Sequence, residues 1–271
     1  MLTSGRRRGG KPGTGLSPRS VRLTLGRLKA ALALAVADRV LDYNPAEHVE
    51  LPDQQRRAGT TWSEAELRAF AATAATDRLA ACWLLSLLGM RRGEVLGLRW
   101  DDVDLSAGTV TIGRARVLVD GRVIEKTPKS ARGVRTLPVD PGVSAALTAL
   151  SAAQMAELDA AGPAYANSGY VAADELGQPL HPERYSDEFA RLCRTAGVPV
   201  IRLHDVRHTA SSLMATAGVP DHIRAAWCGH TVAVQVGTYT HARAEDLAIA
   251  AAALSALLSP VSSEVATNRQ V

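Results

Sequence analysis

A tyrosine, two arginines and two histidines occur in this chain in an order that could cut a phosphodiester bond without a metal ion. They are Arg91, His204, Arg207, His230 and Tyr239. The planar guanidinium group of an arginine matches two phosphate oxygens, which the point charge of a lysine does less well. Two such groups and two imidazoles would stabilise the charge that develops on a phosphoryl group during its transfer. The set therefore predicts phosphoryl-transfer chemistry.

Tyr239 is the candidate nucleophile of this set. A tyrosine hydroxyl has a pKa of about 10, so it attacks poorly until a neighbour takes or shares its proton. His204 and His230 are the candidates for that step. A general acid must also protonate the departing sugar oxygen, and a lysine in a turn between strands could do so. We choose Lys129 for this step and hold Lys126 in reserve.

Each of these residues has a more ordinary explanation when it is taken alone. Arg91 would usually form a surface salt bridge, His204 would cap or partly fill a helix end, and Tyr239 would pack with a solvated hydroxyl. The order and spacing of the whole set favour the catalytic interpretation. Two nearby residues receive the ordinary one: His208 is expected to be a structural helix residue and Cys228 a small buried apolar one.

The elements that must position these side chains predict a mainly α-helical fold with a small antiparallel β-sheet, an α+β class. Ser17 and Pro18 are typical of a helix start, and the apolar spacing behind them predicts a helix to about residue 41. Ser63 and Glu66 form a capping box at the start of another helix. The first helix belongs to a short amino-terminal region, and the second begins the main domain.

Two further helices are predicted next to the arginines. An almost wholly apolar helix over 78–88 precedes Arg91, and a helix from His204 towards residue 214 is stopped by Gly218. His204 and Arg207 are three residues apart, so they lie on one helical face. The predicted strands are 109–112, 116–119 and 134–137, with a tight turn at 120–121.

The composition is that of a globular protein and excludes several classes. Of 271 residues, 46% are apolar, 21% charged and 4% aromatic, which favours helical packing. No apolar run approaches the roughly 20 residues that cross a bilayer, and no secretory signal follows the basic start. We therefore expect no membrane partner and a cytoplasmic location. Three scattered cysteines indicate reduced thiols, with neither a disulfide framework nor a metal site.

Positive charge is concentrated near the amino terminus. Residues 1–57 contain 11 Lys and Arg against 5 Asp and Glu. A basic arm suits the phosphate backbone of DNA, because each neutralised phosphate releases a counterion. The alternative is a solvated, disordered leader over 1–16. The candidate DNA contacts are Arg6, Arg7, Arg8, Lys11, Arg19 and Arg22.

Four short motifs resemble the catalytic motifs of the tyrosine recombinases, also called phage integrases. They are GMRRGE at 89–94, LHDVRHT at 203–209, GH at 229–230 and TYTH at 238–241, and the resemblance extends over 15–247. It implies cleavage of double-stranded DNA to a 3′-phosphotyrosyl enzyme and a free 5′-hydroxyl, followed by religation, with no metal and no nucleotide cofactor. The implied roles are phosphate clamp for Arg91 and Arg207, general acid for Lys129, proton transfer for His204, phosphate hydrogen bonding for His230, nucleophile for Tyr239 and orientation of the site for Glu94.

The same resemblance implies a domain order and a set of partners. The domains are a basic leader over 1–16, a partial helical core-binding domain with its linker over 17–57, the catalytic domain over 58–247, and an apolar helix and tail over 248–271. Only the second half of the family's core-binding domain is matched, so leucines of the helix over 21–40 are expected to be exposed. The carboxyl-terminal helix docks either in cis or on a neighbouring protomer. The implied partners are a DNA attachment site, a homotetramer on DNA and an accessory directionality factor.

Site-specific recombination or integration of a mobile element is the leading hypothesis, and two alternatives remain. The chain could be a truncated integrase that binds DNA without cutting it. It could also be a type IB-like topoisomerase, which uses the same chemistry without recombination. A metal-dependent nuclease is disfavoured, because the sequence has no acidic cluster and no His or Cys spacing typical of metal ligands.

Overall fold

The computed structural model describes residues 15–51, 60–127 and 134–229. They belong to two compact units, Met1–Ala58 and Gly59–Val271. In the described ranges the first unit contains one long helix, and the second contains the remaining helices and the strands. The basic amino-terminal region lies in the first unit, and the predicted catalytic residues that the structure describes lie in the second.

The first unit is built on helix α1, Pro18–Ala37. Its start agrees with the prediction, because the Ser17 hydroxyl accepts a hydrogen bond from the Ser20 amide at 3.1 Å. No residue within α1 is buried. Leu23, Leu28 and Leu34 are each at least half exposed, which confirms the exposure expected for this helix.

Helix α1 ends earlier than predicted, and the prediction of an end near residue 41 is wrong. Arg39 adopts a φ of 59°, in the left-handed region that usually favours glycine. The amide of Arg39 donates to the Val36 carbonyl, and the amide of Val40 donates to the Ala35 carbonyl. These two bonds close the last turn and redirect the chain, although the apolar pattern continues for several residues.

Seven α-helices and five strands lie in the described part of the second unit. The helices are α2 (Glu64–Ala74), α3 (Ala80–Leu87), α4 (Arg92–Gly97), α5 (Pro141–Ala161), α6 (Pro182–Thr195), α7 (Leu203–Thr216) and α8 (Asp221–Cys228). The strands are β1 (Val103–Asp104), β2 (Thr109–Ile112), β3 (Ala115–Val119), β4 (Arg122–Lys126) and β5 (Arg135–Pro138). The predicted mainly α-helical fold with a small antiparallel sheet is confirmed. None of the helices in the described ranges is both long and apolar enough to cross a lipid bilayer.

Within the described ranges the strands form two antiparallel sheets, where the sequence predicts three strands. β1, β2 and β5 form one sheet in the order β1-β2-β5, and β3 and β4 form a separate hairpin. The turn of this hairpin has positive φ at Asp120 (48°) and Gly121 (76°), which matches the twist of the strands and confirms the predicted turn. The sequence pattern misses β1 because it has two residues, and misses β4 because charged residues occupy both of its ends.

An aromatic cluster lies in the core where α2, α3 and α6 meet. Trp62, Phe70 and Phe189 have ring centroids 5.1–5.8 Å apart, and Trp83 stacks on Tyr185 at 4.2 Å. All five side chains are at most 3% exposed. The predicted capping box is present at the start of α2. This packing fixes α3, whose end leads to the first predicted arginine.

Candidate active site

Arg91 lies at the junction of α3 and α4, on a backbone whose path depends on glycine. Gly89 has a φ of 91°, and a Cβ there would lie 3.4 Å from the Cβ of Ala210 on α7. Gly93 of α4 faces β3, where a Cβ would come 2.9 Å from the carbonyl oxygen of Arg116. Residue 91, at the N-cap of α4, is therefore held between α7 and the β3–β4 hairpin.

Glu94 is the buried carboxylate of the site. Its Oε1 accepts hydrogen bonds from Nη1 of Arg91 (2.7 Å) and Nη1 of Arg135 (3.2 Å). Its Oε2 accepts from the Arg91 amide (2.9 Å) and Nη2 of Arg135 (2.8 Å). These bonds fill the acceptor capacity of a carboxylate. Glu94 therefore caps α4 and orients two guanidinium groups.

The carboxyl group of Glu94 is held in its ionised form. Burial alone would raise the pKa of Glu94, but the hydrogen bonds and charges of Arg135 and Arg91 outweigh burial and lower the pKa to about 2. Since the folded-state pKa lies below the ordinary value of 4.5, Glu94 stabilises the fold above that value. This stabilisation is lost as the pH falls from about 4.5 towards 2.

The Glu94→Gln variant is expected to show this effect in its unfolding free energy. The difference in stability between wild type and the variant should shrink by roughly 3 kcal/mol as the pH falls from neutral to about 2, because only the carboxylate titrates. Urea unfolding followed by tryptophan fluorescence at a series of pH values measures this difference. Parallel stability curves for the two proteins across the acid range would contradict the assignment of a depressed pKa to Glu94.

Arg207 of α7 is completely buried and joins three elements. Its Nη1 donates to the carbonyl of Gly89 at 2.7 Å, and its Nη2 donates to the carbonyl of Cys228. Burial, followed by the charge of Arg91, lowers the pKa of Arg207 to about 10. The guanidinium group therefore remains charged at neutral pH.

Three successive carbonyl groups at the end of α8 each accept a hydrogen bond from a different arginine. The last carbonyls of a helix have no partner within it and carry the negative end of its dipole, so they attract cations. The bonds run from Arg135 Nε to Trp227 (2.7 Å), from Arg207 Nη2 to Cys228 and from Arg91 Nη2 to Gly229 (3.4 Å). Three guanidinium groups from separate elements therefore converge at the end of α8.

His204 and His208 lie one turn apart on α7, with their rings in edge-to-face contact at 4.6 Å. Partial burial lowers the pKa of both histidines, and the positive charge of Arg207 adds to that effect. Both imidazoles are therefore neutral at pH 7. The helix beneath them is anchored to the start of α2, because the Thr209 hydroxyl accepts a bond from the Trp62 amide at 3.0 Å.

The structure brings together the predicted residues Arg91, His204 and Arg207, with Glu94 beside them. The charges of Arg91 and Arg207 both act on His204. Among the other candidates, Arg19 is exposed and Arg22 half-buried on α1, and the reserve Lys126 is exposed at the end of β4. Cys228 is buried, as expected. The predicted residues outside the described ranges are Lys129, His230, Tyr239, Arg6, Arg7, Arg8 and Lys11.

The β3–β4 hairpin, which precedes Lys129 in the sequence, is held by Tyr170. The guanidinium carbons of Arg99 and Arg116 lie 4.6 and 4.8 Å from the centroid of the tyrosine ring. The hydroxyl of Tyr170 donates to Glu125 at 2.6 Å. Arg116 and Glu125 are paired across the two strands, so these contacts fix the end of the hairpin that leads towards residues 128–133.

Arg135 is a residue of this site that the sequence reasoning missed. It shares a face of β5 with the buried Leu137, whereas Thr136 between them is exposed. A charged side chain on the inward face of a strand needs a buried partner, because an unpaired charge is rarely buried. That inward position was the signal that could have identified Arg135 beforehand.

Comparisons with known proteins identify relatives of this chain. The phage integrase family model matches residues 62–246. A XerC-like tyrosine recombinase of Caldanaerobacter subterraneus is 27% identical over 247 residues, which cover 84% of this chain and 63% of the relative. The ICEBs1 integrase of Bacillus subtilis is 25% identical over 208 residues, which cover 76% of this chain and 56% of the relative. The chain thus spans less than two thirds of the length of these relatives.

Solved structures share the fold. The Tn1549 transposon integrase, in complex with transposon right end DNA, has a TM-score of 0.72 at 20% identity, covering 89% of this chain and 81% of that one. The XerA recombinase has a TM-score of 0.53 at 19% identity, covering 86% and 76%. The family model covers more than half of the sequence and includes the described arginine cluster. The chain therefore belongs to the phage integrase family, the tyrosine recombinases.

Proposed function

We propose that this chain is a site-specific DNA recombinase of a mobile element, which cleaves and rejoins strands through a 3′-phosphotyrosyl intermediate. The hydroxyl oxygen of Tyr239 attacks the scissile phosphorus, the bond from phosphorus to the 5′-oxygen breaks, and that oxygen leaves with a proton. One phosphodiester replaces another, so the reaction consumes no nucleotide. Attack by the 5′-hydroxyl of a partner strand reverses the step and rejoins the DNA. The proposed chemistry uses no metal ion.

The proposed roles follow the family resemblance. The phosphate must be held and its charge offset, and protons must move to the leaving oxygen and from the nucleophile. Arg91 and Arg207 bind the phosphate, His230 donates a hydrogen bond to it, His204 assists proton transfer, Lys129 protonates the leaving oxygen and Glu94 orients Arg91.

The observation that carries this proposal is the convergence of guanidinium groups at the end of α8. Arg91 and Arg207 come from different elements, yet they donate to the adjacent carbonyl oxygens of Gly229 and Cys228. Donors that converge on two neighbouring oxygens have the arrangement needed to bind two oxygens of one phosphate. His204, which is neutral at pH 7, is close enough to feel both charges. This arrangement supports phosphoryl transfer better than a purely structural role.

An opening step is part of the proposal, because Arg207 is completely buried. A phosphate can reach its guanidinium group only after part of the surrounding chain has moved. The Nη2 group that faces Cys228 would become available if the carbonyls of Cys228 and Gly229 turned away while Trp227 kept its bonds to Arg135 and Leu88. We propose that DNA binding drives this movement, so that phosphate oxygens replace helix carbonyls as acceptors.

The proposed substrate is a double-stranded DNA attachment site, bound in the cytoplasm at the nucleoid. Residues 58–247 are proposed as the catalytic domain and residues 17–57 as part of a clamp on DNA, with Arg19 and Arg22 among its contacts. The complex of the Tn1549 integrase with transposon end DNA supports this class of substrate. A homotetramer on DNA, assisted by a directionality factor, is proposed as the assembly that exchanges strands.

Covalent trapping on nicked DNA tests the proposal. The full chain is incubated in EDTA with duplexes that it has selected by binding from a randomised pool, each nicked near its centre. Cleavage close to the nick releases a short strand, which diffuses away and leaves the protein attached to DNA. We expect an adduct that survives boiling in SDS, is destroyed by protease and forms equally well in EDTA and in Mg²⁺.

Other outcomes would separate the alternatives. DNA binding without any adduct would contradict the proposal and favour a truncated, non-catalytic integrase. An adduct that forms only with Mg²⁺ would contradict metal-independent cleavage. Relaxation of supercoils without recombinant products would identify a topoisomerase.

A further inference from the structure

Arg135 links the buried carboxylate of the site to the end of α8. Its side chain is 8% exposed. Its two Nη groups donate to the two oxygens of Glu94 at 3.2 and 2.8 Å, while its Nε donates to the Trp227 carbonyl at 2.7 Å. The guanidinium group is planar, so these three donors have a fixed relative geometry. Glu94 and Trp227 are therefore held at a defined separation.

The Glu94 side of this link leads to Arg91. Glu94 accepts hydrogen bonds from both the backbone amide and the guanidinium group of Arg91. The charged groups that act on Glu94 are Arg91 from the α3–α4 junction, Arg135 from β5 and Arg207 from α7. A Glu94 that lost Arg135 would keep one close guanidinium partner while remaining buried. Its position, and the direction of the Arg91 side chain, would be less well defined.

The Trp227 side of the link leads to Arg207. Trp227 immediately precedes Cys228, whose carbonyl accepts from Arg207. The indole Nε1 of Trp227 also donates to the Leu88 carbonyl at 2.7 Å, which ties the same residue to the end of α3. Arg135 thus stabilises the end of α8, whose carbonyl groups accept hydrogen bonds from Arg91 and Arg207.

We propose that Arg135 is a positioning residue for DNA cleavage, which holds Glu94 and the end of α8 in register and so sets the relative placement of Arg91 and Arg207. The inference rests on the proposed function and adds a residue to it. Arg135 acts through its two partners, because its Nη groups bond to Glu94 and its Nε bonds to the Trp227 carbonyl. Misplacement of a reacting group by about 1 Å can cost on the order of a hundredfold in rate, so the expected effect is large.

The Arg135→Gln variant tests this role in the trapping assay. We expect adduct formation at pH 7 to fall at least about tenfold, with a change in DNA affinity of less than about twofold. The variant should also slow further as the pH falls from 8 to 5, because a buried Glu94 with fewer donors protonates more readily. Adding Glu94→Gln should remove this pH dependence. Arg135→Lys should form adduct faster than Arg135→Gln but more slowly than wild type, since lysine restores the charge but not the planar guanidinium group.

Arg78→Gln is the matched control. Arg78 also holds a partly buried glutamate, Glu157, through two donors and bonds to the carbonyls of Ala173 and Asp174, but none of these groups lies in the arginine cluster. Its loss should lower the unfolding free energy without changing the pH profile of cleavage. Equal effects of Arg78→Gln and Arg135→Gln on both rate and pH profile would overturn the proposal.

A titration of Glu94 separates this inference from the proposed function. With glutamate labelled at the carboxyl carbon with ¹³C, Glu94 is identified by the signal missing in Glu94→Gln. In wild type the signal should stay that of a carboxylate from pH 8 down to 4, whereas in Arg135→Gln it should shift towards that of a protonated carboxyl group within this range. An unchanged titration would overturn the inference even if wild type forms adduct. A shifted titration would support the coupling of Arg135 to Glu94 even if wild type forms none and the proposed function fails.

Discussion

The Tyr239→Phe variant is expected to form no covalent adduct with nicked DNA, while its affinity for DNA stays close to that of wild type. Phenylalanine keeps the ring and removes one oxygen, and that oxygen is the atom proposed to bond with phosphorus. A water molecule could replace it as nucleophile, but hydrolysis would leave no protein on the DNA. The trapping assay measures the adduct, and fluorescence anisotropy with an intact duplex measures the affinity.

The other tyrosines of the chain make Tyr239 the best candidate for this role. Tyr185 is completely buried, and burial raises its pKa well above the ordinary value. Tyr170 donates its hydroxyl to a carboxylate, and the pKa values of both Tyr165 and Tyr170 are raised by burial. Each of these hydroxyls is therefore harder to deprotonate than a free one. Tyr43 is the remaining tyrosine and belongs to the first unit.

Tyr43→Phe is the control for the nucleophile. The Tyr43 side chain is 72% exposed, so loss of its hydroxyl should leave folding unchanged. We expect this variant to form as much adduct as wild type. An adduct that persists in Tyr239→Phe and disappears in Tyr43→Phe would move the nucleophile to the first unit and contradict the proposed site.

The parts of the fold and of the site that the sequence predicted are those with local signals. The start of α1, the capping box of α2 and the turn at Asp120–Gly121 depend on residues a few positions apart, whose side-chain and backbone preferences are strong. His204 and Arg207 share a helical face for the same reason. The motifs around Arg91 and Arg207 indicated the chemistry because their residue types are suited to phosphate.

The connections between these parts depend on contacts that are distant in sequence, and no local pattern contains them. The bond from Arg135 to Glu94 spans 41 residues, and the bond from Arg207 to Gly89 spans 118. The sequence motif placed Glu94 close to Arg91, but no local pattern indicated that Glu94 also accepts hydrogen bonds from Arg135. The end of α1 was missed for a different reason, because a non-glycine residue adopts the left-handed conformation there.

The Arg207→Ala variant is expected to cleave about 10³- to 10⁵-fold more slowly than wild type, the range that a phosphate-binding arginine contributes to phosphoryl transfer. Its DNA affinity should fall much less, because the contribution of Arg207 is concentrated in the transition state. The variant also removes the hydrogen bonds to the buried carbonyls of Gly89 and Cys228, at a cost of about 1–3 kcal/mol for each. Single-turnover trapping and urea unfolding measure the two effects separately.

Arg224→Ala distinguishes the loss of catalysis from the loss of structure. Arg224 is also buried and bonds to the carbonyls of Ser211 and Val219, so its removal should destabilise the contact of α7 with α8 to a similar extent. It should cost far less cleavage, because its guanidinium group is engaged by Asp221 at the opposite end of α8. Cleavage by Arg207→Lys should remain slow although lysine keeps the charge, since one ammonium group cannot replace the several fixed donors of a planar guanidinium group. If Arg224→Ala and Arg207→Ala slowed cleavage equally, Arg207 would be a structural residue. If Arg207→Ala lost DNA binding and cleavage in the same proportion, Arg207 would be a DNA-positioning residue. Either result would contradict the proposed role of Arg207 in binding the scissile phosphate.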